Sequence, residues 1–185
     1  MCKKISNWLI KVSAWWVALI FLAIFIIFTA TEVVSQKEKS AEYQGEAGSI
    51  DLSFFYSADD IFNMAEVYGE EGREEYILAR STFDAIFPLI FGAFLVTSIS
   101  FLTGKQFEQD SKWLILNIFP VIGVIFDYLE NSFAILIMEA YPDKLNLLAS
   151  ITPFMTMFKW VFVGGSFIVL FALIIRLFIK KLLKR

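Results

Sequence analysis

The sequence contains no histidine and a single cysteine, Cys2. Without histidine, a His-ligated haem, a His-ligated zinc and a His general base are all excluded. With one cysteine no internal disulfide can form, so any order in an extracytoplasmic segment has to come from packing. Charge is scarce as well. Charged residues make up 19% of the chain against 58% hydrophobic, with 21 Phe, and the mean hydropathy of +0.66 lies outside the range of an ordinary soluble domain. There is no Gly-rich phosphate loop and no Gly-x-Ser-x-Gly nucleophile elbow.

What is present is apolar sequence in long runs. A helix crosses roughly 30 Å of hydrocarbon with about 20 residues at a rise near 1.5 Å each. Four runs meet that length, at about 8–31, 81–103, 113–140 and 147–178. The expected fold is therefore all-α: a four-helix transmembrane bundle forming a single membrane domain over 1–185, with an outer loop at about 32–75. Basic residues gather at Lys3, Lys4 and Lys11, at Lys105 and Lys112, and at Arg176, Lys180, Lys181, Lys184 and Arg185. The bias of Lys and Arg toward cytoplasmic loops then places both termini on the cytoplasmic side of the cell membrane and the acid-rich 32–75 segment outside. The first run reads as an uncleaved anchor, because its apolar stretch is too long for a signal peptide and Phe28-Thr29-Ala30 is a poor cleavage site. The C-terminal basic run reads as a juxtamembrane anchor favouring anionic lipid, not as a nucleic-acid site.

Within the outer segment, 35–49 has the composition of an exposed linker, and 50–54 alternates as an extended piece would. Ser57 and Asp60 form a capping box, with Asp60 a shorter stand-in for Glu, and start a short helix ending near Gly69. Ile61, Phe62, Ala65 and Tyr68 share one face of it, which predicts an interfacial helix with its apolar side toward the membrane. From Glu71 or Gly72 a second helix runs into the second span and carries Arg73, Tyr76, Arg80 and Asp84 along one stripe, with Arg80 and Asp84 spaced to pair. Pro88 follows one turn deeper, where it kinks the helix.

Ionisable groups inside the spans are the informative residues, since each costs about 2.5–3.5 kcal/mol near mid-bilayer and turns toward a partner or a cavity. They are Asp84, Asp127, Glu130 and Lys159. On the third span Asn117, Pro120, Gly123, Asp127, Glu130, Asn131 and Ala134 share a face. On the fourth, Thr152, Thr156, Lys159, Val163 and Ser166 make the matching stripe. Two antiparallel helices leaving the short turn at 141–144 bring together positions whose numbers sum to about 286. Asp127 and Lys159 satisfy this condition, which predicts a buried ion pair between them, leaves Glu130 as the unbalanced charge and sets Thr156 opposite it. A lysine at this depth would repel a metal cation, so no metal site and no cofactor are expected. Gly164-Gly165 reads as a close helix contact.

Several of these residues belong to patterns: Phe54-Phe55-Tyr56-Ser57, Gly69-x-x-Gly72-Arg73-x-x-Tyr76, Asp84-x-x-Phe87-Pro88, Phe126-Asp127-Tyr128-Leu129-Glu130-Asn131, Tyr141-Pro142 and Lys159. On these, over residues 50–160, the chain resembles a widespread group of uncharacterised bacterial four-span integral membrane proteins. The resemblance implies that these residues matter and carries no reaction or substrate. The leading expectation is a protein that binds a small molecule or lipid, transporting or sensing it, in an outward-opening polar pocket between spans two, three and four. Its candidate ligand residues are Arg73, Tyr76, Arg80, Asp84, Asp127, Glu130, Asn131 and Lys159. Two alternatives stay open: an enzyme on a lipid-like substrate with Glu130 as acid or base, and a structural or assembly partner acting through its outer loop. Interhelical polar contacts alone, at about 1 kcal/mol each, would also account for the charges. Besides the bilayer, a homo-oligomeric or protein partner stays open, and nucleic acid is not expected.

Overall fold

A computed structural model of the protein describes residues 2–33, 35, 40, 43–45, 48, 50 and 55–183. The extended piece expected at 50–54, apart from Ile50, most of the 35–49 linker, and Lys184 and Arg185 lie outside the described residues. Among the described residues the longer α-helices are, in order, α1 (Cys2–Val12), α2 (Trp15–Phe28), α3 (Ala58–Gln106), α4 (Phe119–Ala140) and α5 (Asn146–Leu182). A π-helical turn, Thr29–Val33, extends α2, and a 3₁₀ helix, Lys112–Ile118, precedes α4. No strand occurs among the described residues. Among the described residues four helical stretches are long and apolar enough to cross a membrane: Trp15–Glu32, Ala58–Gln106, Lys112–Ala140 and Asn146–Leu182.

Two boundaries differ from expectation. The run at 8–31 is not one helix, because Ser13 and Ala14 are non-helical and separate α1 from α2. Lys11 and Ser13 interrupt the apolar pattern, and a lysine inside the hydrocarbon is costly, so the continuous apolar helix begins only at Trp15. The run at 113–140 starts as a 3₁₀ helix, N-capped by Ser111, whose side chain accepts from Trp113 N. It becomes α-helical at Phe119, where Pro120 fits the first turn because the N–H it lacks has no intrahelical partner there.

The chain forms two compact units. The first comprises Met1–Ile26, Leu89–Val124 and Trp160–Arg185. Here α1 packs on the 3₁₀ helix. Ser6 Oγ donates to Leu114 O at 2.8 Å, and Asn117 Nδ2 donates to Ser6 O at 3.1 Å and to Ser100 Oγ at 2.9 Å. Gln106 Nε2 donates to Leu173 O at 3.0 Å, joining the end of α3 to α5. Gly123 allows a close approach, since a Cβ there would stand 2.7 Å from Val163 Cγ2. Gly164 and Gly165 do not: a Cβ at either meets nothing within 4 Å, so the expected close contact falls to Gly123 on the facing helix.

The second unit comprises Ile27–Pro88 and Ile125–Lys159. Its short helix starts at the expected box, with Ser57 N donating to Asp60 Oδ2 at 2.7 Å and Asp60 N to Ser57 Oγ at 3.3 Å. The helix breaks at Gly69, whose φ of 65° and ψ of −174° lie in a region that is essentially glycine's alone. This break lets 58–68 turn its apolar face onto protein. Ile61, Phe62, Met64, Ala65 and Tyr68 are buried with Tyr76, Ala134, Ile137, Met138 and Ala149. Arg73 fastens the arrangement by donating to Ala65 O at 2.9 Å while its guanidinium lies 4.9 Å from the Tyr141 ring centroid.

Candidate functional site

In the second unit three helices place ionisable side chains against one another. α3 contributes Arg80 and Asp84 at i, i+4; α4 contributes Asp127, Glu130 and Asn131 at i, i+3, i+4; α5 contributes Thr156 and Lys159 at i, i+3. Arg80 Nη1 lies 3.0 Å from Asp84 Oδ2 and donates to Asn131 Oδ1 at 2.7 Å. Asn131 Nδ2 donates to Asp127 Oδ1 at 3.3 Å. Lys159 Nζ stands 3.6 Å from Asp127 Oδ1 and 2.6 Å from Glu130 Oε2. The result is one chain of polar contacts, Asp84 to Arg80 to Asn131 to Asp127 to Lys159 to Glu130.

Burial makes this network consequential. Glu130 is fully buried, and Arg80, Asp127, Asn131 and Lys159 are each less than a tenth exposed. Removing a charge from water costs several kcal/mol, so each of these groups depends on its neighbours, and removing one partner exposes the others to the full penalty. Three carboxylates face two cations. Arg80 engages Asp84, and Lys159 takes both Asp127 and Glu130, so each carboxylate faces a cation; no cluster suited to a metal ion occurs among the described residues.

The predicted residues are mostly brought together, with two corrections. Asp127 and Lys159 do pair, but Glu130 is not the unbalanced charge, since it makes the shorter contact to Lys159. Register counting fixes depth along the axis but not which member of a stripe the flexible lysine stem reaches. Arg73 stays outside the network and clamps the short helix to the turn at Tyr141. Tyr76 joins through its ring, which lies 4.8 Å from the Arg80 guanidinium. Asn117, at the start of the same stripe, is used elsewhere, by Ser6 and Ser100 in the first unit.

Tyrosines connect the segment before α3 and its short helix to this network, and two of them, Tyr43 and Tyr56, lie on no helical stripe of the sequence. Tyr56 OH hydrogen-bonds Thr156 Oγ1, one turn before Lys159. Tyr43 meets Tyr68 edge-on at 5.2 Å, Tyr68 meets Tyr76 at 5.7 Å, and Tyr68 OH donates to Gly48 O. An aromatic column thus runs from residue 43 to Arg80. Burial pushes the Tyr43 phenol above its usual value, against the opposing pull of Arg80. The signal for Tyr56 was present in the Phe-Phe-Tyr-Ser pattern, but a tyrosine between the extended piece and the helix start belongs to no periodic stripe that would mark it. Tyr128 belongs to the Phe126–Asn131 pattern, but its role was not foreseen; its hydroxyl donates at 2.7 Å to Ala85 O, one turn before Pro88.

Chemically, the network can anchor a polar or charged group once its internal contacts open. It can act as an acid or base only if Lys159 first releases Glu130. Comparison with protein-family models, curated proteins and solved structures found no match for this chain.

Proposed function

We propose that the chain is a multi-pass protein of the cell membrane that binds a small molecule or lipid in a polar pocket between the second, third and fourth spans. The observation that carries this reading is the Tyr56–Thr156 hydrogen bond, which ties the segment before α3 to the buried charge network. A cluster serving only as glue between helices needs no such cover, whereas a ligand site that must exclude water does. In this reading Asp127, Glu130 and Lys159 form the floor, while Arg80, Asp84 and Asn131 meet the ligand. Tyr43, Tyr56 and the short helix at 58–68 close over them as a lid, and the bonded state is the occluded one. The distribution of Lys and Arg puts both termini in the cytoplasm and the lid outside, so the pocket opens outward with the short helix at the membrane boundary. An enzymatic role for Glu130 has less support, because Lys159 occupies its carboxylate.

Native mass spectrometry of protein purified in mild detergent tests the proposal, with wild type set beside Glu130→Gln and Asp127→Asn. A co-purifying mass present in wild type and lost in the variants supports a ligand pocket. If wild type carries no such mass and the variants only melt earlier, the network is structural and the reading fails.

A further inference from the structure

The first unit holds a second feature, remote in sequence from the charge network. At the end of α5, Ala172, Ile175, Arg176, Ile179, Lys180 and Leu183 line a shallow open groove of about 540 Å³ along one exposed helix face. Two cations one turn apart therefore sit over an apolar trough. Arg176 and Lys180 project from the same helix face about 6 Å apart along the axis, a spacing that lets both reach one phosphate. Ile175 and Ala172 continue the trough toward the middle of the helix as a track for a hydrocarbon chain.

Basic residues at a helix C-terminus are common, because they suit the helix dipole and let long stems snorkel. Two observations exceed that explanation. Arg176 is not free to snorkel: its guanidinium lies 4.2 Å from the Phe107 ring centroid, and Phe107 is stacked with Trp113 at 6.3 Å. A cation fixed by a ring is preorganised for a bound anion. In addition, α5 carries no acidic residue over its whole length, so its terminal cations have no counter-charge on their own helix. At 37 residues the helix is also longer than the roughly 20 needed to cross hydrocarbon, which carries its final turns to headgroup level.

We infer that this groove is a binding site for an anionic phospholipid, with the phosphate between Arg176 and Lys180 and an acyl chain running inward along Ile175 and Ala172. It is independent of whatever occupies the charge network.

The test is a lipid titration followed by native mass spectrometry, with phosphatidylglycerol set against phosphatidylcholine of the same acyl chains. Wild type is expected to retain the anionic lipid at least about fivefold better, on the order of the pull of one cation on an anionic surface. Arg176→Gln with Lys180→Gln abolishes that preference. Phe107→Leu weakens it, because the charge stays but its fixed position is lost. Lys181→Gln leaves it intact, since Lys181 is outside the groove. All four positions are at or near the surface, and unchanged melting temperatures verify folding. Equal retention of the two lipids by wild type overturns the inference. So does a loss with Lys181→Gln as large as with the groove variants, which would indicate bulk charge. Displacement by millimolar inorganic phosphate would also overturn it, in favour of a site for a free anion.

Discussion

Lys159 Nζ lies 2.6 Å from Glu130 Oε2 but 3.6 Å from Asp127 Oδ1, so the ammonium belongs first to the residue one turn further along α4. Both carboxylates are buried, and in a medium of low polarity the closer contact dominates the ammonium's stabilisation. Asp127 has another donor in Asn131, at 3.3 Å.

Lys159→Met is therefore expected to be the most damaging single change in the network, costing about 3–5 kcal/mol because it leaves buried carboxylates without their cation. Glu130→Gln costs more than Asp127→Asn. The double variant Lys159→Met with Glu130→Gln is less damaging than the two losses added together. Thermal melts followed by loss of helicity, arranged as a double-mutant cycle, measure the coupling. Strict additivity would mean that the contact carries no energy.

Much of this site was legible because charges in apolar runs are rare and have to be accommodated. The 3.6-residue stripe marked Asp127, Glu130 and Asn131, and antiparallel counting from the turn at 141–144 found Lys159 at their depth. The lysine's choice of partner was not legible, since Asp127 and Glu130 share a stripe about 4.5 Å apart along the axis and the long stem reaches either. The break at Ser13–Ala14 was hidden by the tryptophans and aliphatics on both sides of Lys11. The protein contacts of the short helix were hidden too, because an apolar face looks the same whether it meets lipid or Ala134, Ile137 and Met138.

The Tyr56–Thr156 bond makes the cover testable without disturbing the charges. Tyr56→Phe removes one hydroxyl and keeps the ring, a loss of about 1 kcal/mol. Amide hydrogen exchange across 55–68 should speed up several-fold, and Thr156→Val should reproduce the effect. Unchanged exchange in both variants would show that the bond does not hold this segment down.

Gly69 separates the short helix from the rest of α3 with a backbone that an L side chain rarely adopts. A Cβ there meets nothing within 4 Å, so Gly69→Ala introduces backbone strain and no clash. The expected cost is about 1–3 kcal/mol, localised to 58–68. Exchange should rise there and not within α4. If Gly69→Ala is as stable as wild type, the kink is not required.

The proposed sidedness can be checked with cysteines, since Cys2 is the one native thiol. In a Cys2→Ser background, single cysteines at Asp59 and Glu66 are expected to react with an impermeant maleimide in intact cells, whereas one at Gln109 reacts only after permeabilisation. The opposite pattern inverts the topology and turns the pocket toward the cytoplasm.

Asp60 gives a pH dependence whose sign follows from its surroundings. The Ser57 backbone N–H, and then its hydroxyl, hold the Asp60 carboxyl below its usual value near 3.8. A carboxyl with a depressed folded-state pKa contributes stability above its unfolded value, and that contribution fades as pH falls through the folded one. Asp60 precedes the spanning part of α3 and is exposed, so the effect is small and local. Asp60→Asn is accordingly expected to fray the first turn of the short helix at pH 6–7. The difference from wild type should shrink as pH drops from about 4 toward 3. Melting curves across that range, compared with a Ser57→Ala variant, measure it. A gap that stays constant down to pH 3 would mean that the carboxylate charge contributes nothing to the cap and that hydrogen-bond geometry alone holds it.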